Sequence, residues 1–174
     1  MTSVPTDPRV AVVVGNPKPA SRTLAAALRV ARELSGEPDL VVDLAAYGPR
    51  VMDWSDAEVS DLVDQVCGAR LVVVASPTYK ASFTGLLKLF LDRVPGDGLV
   101  GTVAVPLMLS AAPAHALAAE AFLRPVLSEV GATVPTTGLG ILDADHDVPA
   151  AYEAWLKVAR PVVDALLADR STHL

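Results

Sequence analysis

Short apolar runs, rich in β-branched residues, alternate along the chain with longer stretches whose apolar residues recur at helical spacing. The short runs cover residues 10–14, 40–44, 71–75, 102–109 and 134–141. Because the first and third runs are apolar at every position, they are typical of strands buried on both faces of a sheet. We therefore predict five strands. Pro106 lies inside the fourth run and removes a backbone donor, which predicts a bulge there or an end of the pairing.

The stretches between these runs carry the signals of helices. Their predicted bounds are residues 21–34, 55–66, 83–94, 114–130 and 150–167. Ser55 and Glu58 have the three-residue spacing of a capping box, which predicts the start of the second helix. Pro125 predicts a kink or a restart in the fourth helix, and Pro161 predicts a kink in the last one. The chain therefore alternates strand and helix five times.

This alternation predicts an α/β fold, because strands that are joined by helices run parallel and apolar strands need helices on both faces. Five strands are too few for a closed barrel. An open, doubly wound sheet remains, with either the flavodoxin-like order 2-1-3-4-5 or a Rossmann-like order. In both, ligands bind at the carboxyl ends of the strands, so the loops to inspect are residues 15–23, 76–82 and 109–116. Residues 1–8 are interpreted as a flexible lead-in, and residues 9–174 as a single domain.

Composition places the chain among globular proteins and narrows the range of its partners. A length of 174 residues suits one domain, and 52% apolar residues exclude a disordered chain. No apolar run approaches the roughly 18 residues of a membrane span, and the first residues lack an export signal, so we expect a soluble cytoplasmic protein. A net charge of −6 disfavours binding to nucleic acid or to an anionic membrane. One cysteine excludes a disulfide scaffold.

The loop after the first strand has the composition of an anion site. Its sequence, residues 15–23, is GNPKPASRT, and it opens a helix whose N-terminal amides and dipole attract a phosphate. Asn16, Ser21 and Thr23 add polar groups, and Lys18 and Arg22 add positive charge. Neither the Walker A pattern nor the dinucleotide pattern G-x-G-x-x-G occurs here. The sequence favours phosphate binding over the alternative, an ordinary turn with a serine cap.

The loops after the third and fourth strands could accept a planar ligand. Tyr79 can stack on a ring at the end of its strand, and the alternative is a surface turn with an anchoring tyrosine. The loop after the fourth strand is SAAPAH, residues 110–115, whose small side chains would let a flat ring approach the backbone. His115 alone is interpreted as a residue at the start of a helix rather than an acid or a ligand.

Residues 143–147 carry aspartates at alternate positions, as the start of a calcium loop does. The sixth position of such a loop needs a glycine and the twelfth a glutamate, but the chain has Val148 and Ala154 there. We interpret the segment as an acidic turn. The three histidines are scattered and the pattern G-x-S-x-G is absent, so neither a metal site nor a hydrolase nucleophile is predicted.

Three segments resemble those of the NAD(P)H-dependent FMN reductases. The loop GNPKPASRT is similar to their G-S-P-R-x-x-S-x-T, and SPTYKASFTGLLKLFLD is similar to their T-P-x-Y-(K/N)-x-x-x-(S/P)-G-x-L-K-x-x-(L/I)-D. The segment AHALAAEAFLRPVLSEVGA, residues 114–132, resembles the helix after strand four in the two-component members, which feed sulfonate monooxygenases. The resemblance covers residues 9–165, and the middle motif is its most specific part.

The resemblance implies a flavodoxin-like, three-layer, doubly wound sheet of five parallel strands in the order 2-1-3-4-5, with an FMN site. The FMN phosphate would be held by Asn16, Lys18, Ser21 and Thr23, with Arg22 adjacent. The isoalloxazine ring and the ribityl chain would be lined by Pro77, Thr78, Tyr79 and Lys80. The ring would be edged from the other side by Ser110, Ala111, Ala112 and His115.

The segments depart from the family pattern at three points. Asn16 stands where a serine is usual, which keeps a polar group at that position. The run from Ser110 to Ala112 replaces a glycine-rich turn, which affects the fit on that side of the ring. Some sulfonate-type members have a tyrosine in the fourth helix, where this chain has Ala121 and Phe122.

The predicted activity is transfer of hydride from NAD(P)H to FMN, with supply of the reduced flavin to a flavin-dependent monooxygenase. The family also implies a homodimer or a homotetramer. Because the cofactor carries the chemistry, no side chain needs to act as a general acid. Two alternatives stay open. One is a reductase that retains FMN and reduces a quinone, an azo dye or a metal oxyanion; the other is a flavodoxin-type electron carrier.

Overall fold

Five parallel strands form the central sheet of the protein, whose computed structural model describes residues 9–169. The strands are β1 (Val10–Val14), β2 (Leu40–Asp43), β3 (Leu71–Pro77), β4 (Val103–Ser110) and β5 (Leu139–Leu142). Their spatial order is β2-β1-β3-β4-β5, which confirms the flavodoxin-like alternative and excludes the Rossmann-like one. The predicted lead-in, residues 1–8, lies outside the described residues.

Helices cover both faces of the sheet and create two cores. They are α1 (Arg22–Ser35), α2 (Ala57–Cys67), α3 (Gly85–Leu91), α4 (Arg124–Glu129) and α5 (Ala150–Asp169). Successive strand residues point to opposite faces, so Val12 packs with α1 and α5 while Val13 packs with α2, α3 and α4. The predicted three-layer arrangement is therefore confirmed. It explains why β1 and most of β3 are apolar on both faces.

Side chains cap the N-termini of α1 and α2, and the cap predicted for α2 needs correction. Ser21 caps α1, because its hydroxyl accepts a hydrogen bond from the amide of Leu24 at 3.2 Å. The capping box predicted for Ser55 and Glu58 is wrong. Asp56 caps α2 instead, with its carboxylate 3.0 Å from the amide nitrogen of Val59, while the Ser55 hydroxyl donates backward to Asp53. The N-cap of α2 is thus one residue later than the capping box requires, at Asp56 instead of Ser55.

Pro106 interrupts pairing on one side of β4 only. On the β3 side the ladder continues through it, with Pro106 opposite Val74. The amide of Ala104 donates to Thr133 on the other side, and alternation places the missing donor of Pro106 on that side too. Pairing with β5 resumes one residue later, with Leu139 as the first partner. The predicted end of pairing at Pro106 is therefore wrong, because the proline leaves only a gap on one side of β4. The fifth strand begins five residues later than predicted.

The segment predicted as one helix over residues 114–130 consists of three pieces. A 3₁₀ turn spans Pro113–His115, a π turn spans Ala119–Leu123, and α4 begins at Arg124. Pro125 lies in the first turn of α4, where the lack of an amide proton is tolerated. The predicted restart at Pro125 is confirmed, and the π turn that precedes it was not predicted.

The last helix continues without a break through Pro161 and is anchored near its start. The hydroxyl of the buried Tyr152 donates to the carbonyl oxygen of His146 at 2.6 Å. Burial raises the pKa of Tyr152 to about 12, so the phenol keeps its proton and remains a donor. Across residues 9–169, no helix has both the length and the apolar character that crossing a membrane requires.

Candidate functional site

The loops after β1, β3 and β4 meet at one edge of the sheet, as predicted. The amide of Gly15 donates to the carbonyl of Ala75 at 2.8 Å, which joins the end of β1 to the end of β3. The amide of Thr78 donates to the carbonyl of Leu109 at 2.7 Å, which joins the loop after β3 to the end of β4. Each predicted group of site residues therefore faces the same edge, the switch point of the doubly wound sheet.

A cavity of about 450 Å³ opens at the N-terminus of α1. It is lined by Asn16, Lys18, Ala20, Ser21, Arg22 and Asp143. Four of the five residues predicted to surround a phosphate therefore share one cavity. The amides at the first two positions of α1 have no partner within the helix, and the helix dipole adds positive potential there. This cavity, called the phosphate cavity below, combines backbone donors with two cationic side chains.

Asn16 and Thr23 shape the wall of the phosphate cavity. The side-chain amide of Asn16 donates to the Thr23 hydroxyl at 3.1 Å, and its oxygen accepts from the backbone amide of Lys18 at 2.9 Å. Thr23 is 1% exposed and does not line the cavity. The structure therefore gives Thr23 an indirect role, the orientation of Asn16, and direct contact of Thr23 with a phosphate stays a prediction.

Two aspartates near the phosphate cavity were missed by the sequence interpretation. Asp143 forms an ion pair with Arg22, and Asp43 accepts a 3.4 Å hydrogen bond from the amide of Ala20. Ala20 has a φ of +49°, so the loop turns through a left-handed conformation at that point. Both aspartates stand at the carboxyl ends of outer strands, which is the signal that could have identified them.

Thr84 links the loops after β1 and β3, and the sequence interpretation did not identify it. Its hydroxyl donates to the carbonyl of Gly15 at 2.5 Å and accepts from the amide of Leu87 at 3.1 Å. Its own amide donates to the hydroxyl of Ser76 at 3.0 Å. Thr84 is 3% exposed and caps α3, so one buried side chain fixes the ends of β1 and β3 and the start of a helix. A threonine directly before Gly85 is a capping signal, which the predicted helix start at residue 83 obscured.

We expect Thr84→Val to lower the free energy of unfolding by about 2 kcal/mol, because valine keeps the shape but removes the cap and leaves the Gly15 carbonyl without a partner. Thr84→Ser retains the hydroxyl and serves as the matched control. Urea unfolding of the flavin-free protein measures both. Equal losses for the valine and serine variants would contradict a role for the hydroxyl.

The loop after β3 contains a tight turn next to a buried hydroxyl. Tyr79 and Ser82 exchange two backbone hydrogen bonds of 2.8 and 3.1 Å, and the two residues between them, Lys80 and Ala81, have φ values of +52° and +68°. Such conformations are costly for residues other than glycine and are concentrated at functional sites. Tyr79 is 53% exposed. The hydroxyl oxygen of Thr78 is buried and has no hydrogen-bond partner within residues 9–169, so it can serve a polar atom of a ligand.

The loop after β4 is held by a hydrogen bond from one of its own side chains and by close packing on β5. The Ser110 hydroxyl donates to the carbonyl of Ala112 at 3.1 Å. Ala111 is exposed, whereas His115 is half-buried in the following 3₁₀ turn. A Cβ atom added at Gly140 would lie 2.1 Å from the carbonyl oxygen of Ala116, so only glycine allows this approach. The loop after β4 is thus pressed against the sheet beside the site.

The residues present fit flavin mononucleotide. The phosphate cavity supplies backbone donors and two cations, and the neighbouring loops supply an exposed aromatic ring, small side chains and the buried hydroxyl of Thr78. The lack of a hydrogen-bond partner for that hydroxyl is the observation that a bound ligand would explain, because buried polar groups are rarely left unpaired.

Comparisons with known proteins find a matching family model, similar sequences and a similar solved structure. The family model described as NADPH-dependent FMN reductase matches residues 8–147. FMN reductase (NADPH) from Escherichia coli K12 is 33% identical over 130 residues, which cover 71% of this chain and 68% of that protein. FMN reductase (NADPH) from Pseudomonas aeruginosa PAO1 is 29% identical over 140 residues, covering 78% and 74%. The solved apo structure of NADH:FMN oxidoreductase (EMOB) has a TM-score of 0.79 at 28% identity, covering 92% of this chain and 88% of that one.

Proposed function

The chain belongs to the NADPH-dependent FMN reductase family, and from this premise we propose that it reduces FMN with NAD(P)H and releases the reduced flavin to a partner monooxygenase. The observation that carries the proposal is the phosphate cavity, which adjoins two loops suited to a planar ring. The similar proteins are named for NADPH or for NADH, so both coenzymes belong in the test.

The chain's own residues would bind and orient the flavin. Lys18 and Arg22 would face the phosphate, together with the first amides of α1. Thr78 would offer its hydroxyl to a polar atom of the flavin, and Tyr79 would lie against the ring. When bound, FMN supplies the atom that accepts hydride from the nicotinamide. The protein contributes position and charge, and the proposal requires no general acid.

Release of the flavin is supported by the exposure of the two cations that would contact the phosphate. Arg22 is 60% exposed and Lys18 is exposed, so both cations stay hydrated and give modest affinity. The resemblance of residues 114–132 to two-component reductases points the same way, while Ala121 departs from the tyrosine found in some of them. Assembly into a homodimer or a homotetramer stays a prediction.

We expect protein purified without added flavin to be colourless and to oxidise NADPH or NADH at a rate that saturates as free FMN is raised. Absorbance of the coenzyme follows the rate, and the visible spectrum measures retained flavin. A protein that is stoichiometrically yellow, indifferent to added FMN and active with a quinone would instead be the FMN-retaining reductase. A protein that binds FMN but oxidises neither coenzyme would be an electron carrier.

A further inference from the structure

Asp143 places a carboxylate in the wall of the phosphate cavity. It lies directly after β5, lines the cavity together with Lys18, and forms an ion pair with Arg22. Its side chain is 41% exposed, and that of Arg22 is 60% exposed. Lys18 has no ion-pair partner among the described residues. The cavity that would bind an anion thus contains one cation already neutralised by the chain's own carboxylate.

The turn that carries Asp143 is anchored on two helices. The ring nitrogen Nδ1 of His146 lies 3.0 Å from the carbonyl oxygen of Asp143, and the carbonyl of His146 accepts the 2.6 Å hydrogen bond from Tyr152 of α5. From α1, the guanidinium of Arg29 donates to the carbonyl of Asp147 at 3.3 Å. These contacts hold the backbone at and after Asp143, and the pairing of Leu142 with Ser110 holds it before, so its carboxylate stays near the cavity when Arg22 moves.

A phosphate in this cavity would compete with Asp143 for Arg22. The phosphate group of FMN carries about −1.5 to −2 charges at neutral pH, so it attracts the guanidinium and repels the carboxylate. We propose that Asp143 lowers the affinity of the cavity for the FMN phosphate by holding Arg22 and by direct repulsion. The inference rests on the proposed function, because it assumes that the phosphate occupies this cavity. Its consequence is an affinity low enough for the flavin to exchange.

A purely structural role for the ion pair makes different predictions. If the contact between Arg22 and Asp143 only tied α1 to the end of β5, its loss would lower the melting temperature. The affinities for FMN and for riboflavin would then change together, because riboflavin differs from FMN only by the absence of the phosphate. The comparison between these two flavins therefore isolates the effect of Asp143 on the phosphate.

We expect Asp143→Asn to tighten FMN binding by about fivefold at low ionic strength and to leave riboflavin binding unchanged. Asp143→Ala, which cannot donate to the phosphate, should tighten it in the same direction. Asp145→Asn is the matched control, since it removes the same charge from the same turn but does not line the cavity. Fluorescence quenching on flavin-free protein gives each Kd, and 0.5 M salt should shrink the gain to about twofold or less.

A double-mutant cycle tests the competition for Arg22. In an Arg22→Gln background, the gain from Asp143→Asn should be smaller than in the unmodified protein, because no guanidinium is left to compete for and only the direct repulsion is relieved. An undiminished gain there would overturn the competition, and weaker FMN binding by Asp143→Asn, or parallel changes for both flavins, would overturn the whole inference. If the unmodified protein bound FMN no better than riboflavin, the phosphate cavity itself would be wrongly assigned. If it bound neither flavin, the proposed function would fail with it.

Discussion

Replacing Gly15 with alanine is expected to lower the free energy of unfolding by about 3 kcal/mol and to weaken flavin binding. A Cβ atom at this position would lie 2.3 Å from the Cβ atom of Leu87 and 3.0 Å from its Cα atom. A change of side-chain rotamer moves neither atom, because the Cα belongs to the backbone and the Cβ is bonded directly to it. Leu87 is also fully buried, so it has no free space to move into. The first loop and α3 would have to move apart, and the bond from Thr84 to the Gly15 carbonyl would be lost.

Gly85 offers the matched control for this substitution. It begins α3, and a Cβ atom added there meets nothing within 4 Å. Gly85→Ala should therefore be neutral or stabilising by up to about 1 kcal/mol, since alanine restricts the unfolded chain and favours the helix. Urea unfolding and FMN titration of the two variants give the comparison. Similar stabilities for Gly15→Ala and Gly85→Ala would show that the approach of Leu87 is not a constraint.

The central strands could be predicted from the sequence because their signal is local. Residues 10–14 and 71–75 are apolar at every position, and burial on both faces of a parallel sheet requires that pattern. The fifth strand was mispredicted because its pairing depends on a neighbour. Pro106 leaves β4 without a donor toward residues 134–138, and pairing resumes only at Leu139.

The residues of the candidate site likewise fall into those that a local sequence signal predicts and those that depend on distant parts of the chain. The residues of the first loop could be found from the sequence, because every residue that lines the cavity except Asp143 belongs to one continuous segment at the start of a helix. Thr84 and Asp143 could not, since each acts on a residue far away in the chain, Gly15 in one case and Arg22 in the other. Gly140 could not be identified from the sequence either, because its close approach to the Ala116 carbonyl exists only once the strand and the turn are packed together.

Removing both cations of the phosphate cavity is expected to weaken FMN binding far more than riboflavin binding. A charge-assisted hydrogen bond contributes roughly 1.5–3 kcal/mol, so Lys18→Ala combined with Arg22→Ala should raise the Kd for FMN by about tenfold or more. Lys18 should account for the larger part, because Arg22 must first leave Asp143. Fluorescence titration of the flavin-free single and double variants measures each contribution.

The control for this double variant removes the same charge elsewhere. Lys88 and Arg32 are exposed, and each pairs with a nearby acid, Asp92 and Glu37, away from the phosphate cavity. Their combined replacement by alanine should leave the Kd for FMN within about twofold, because solvent and salt screen distant charges. If the cavity variant lost affinity for riboflavin and FMN equally, the loop would support the ring or the fold rather than the phosphate. If the control variant lost as much FMN affinity as the cavity variant, the effect would belong to net charge and not to this site.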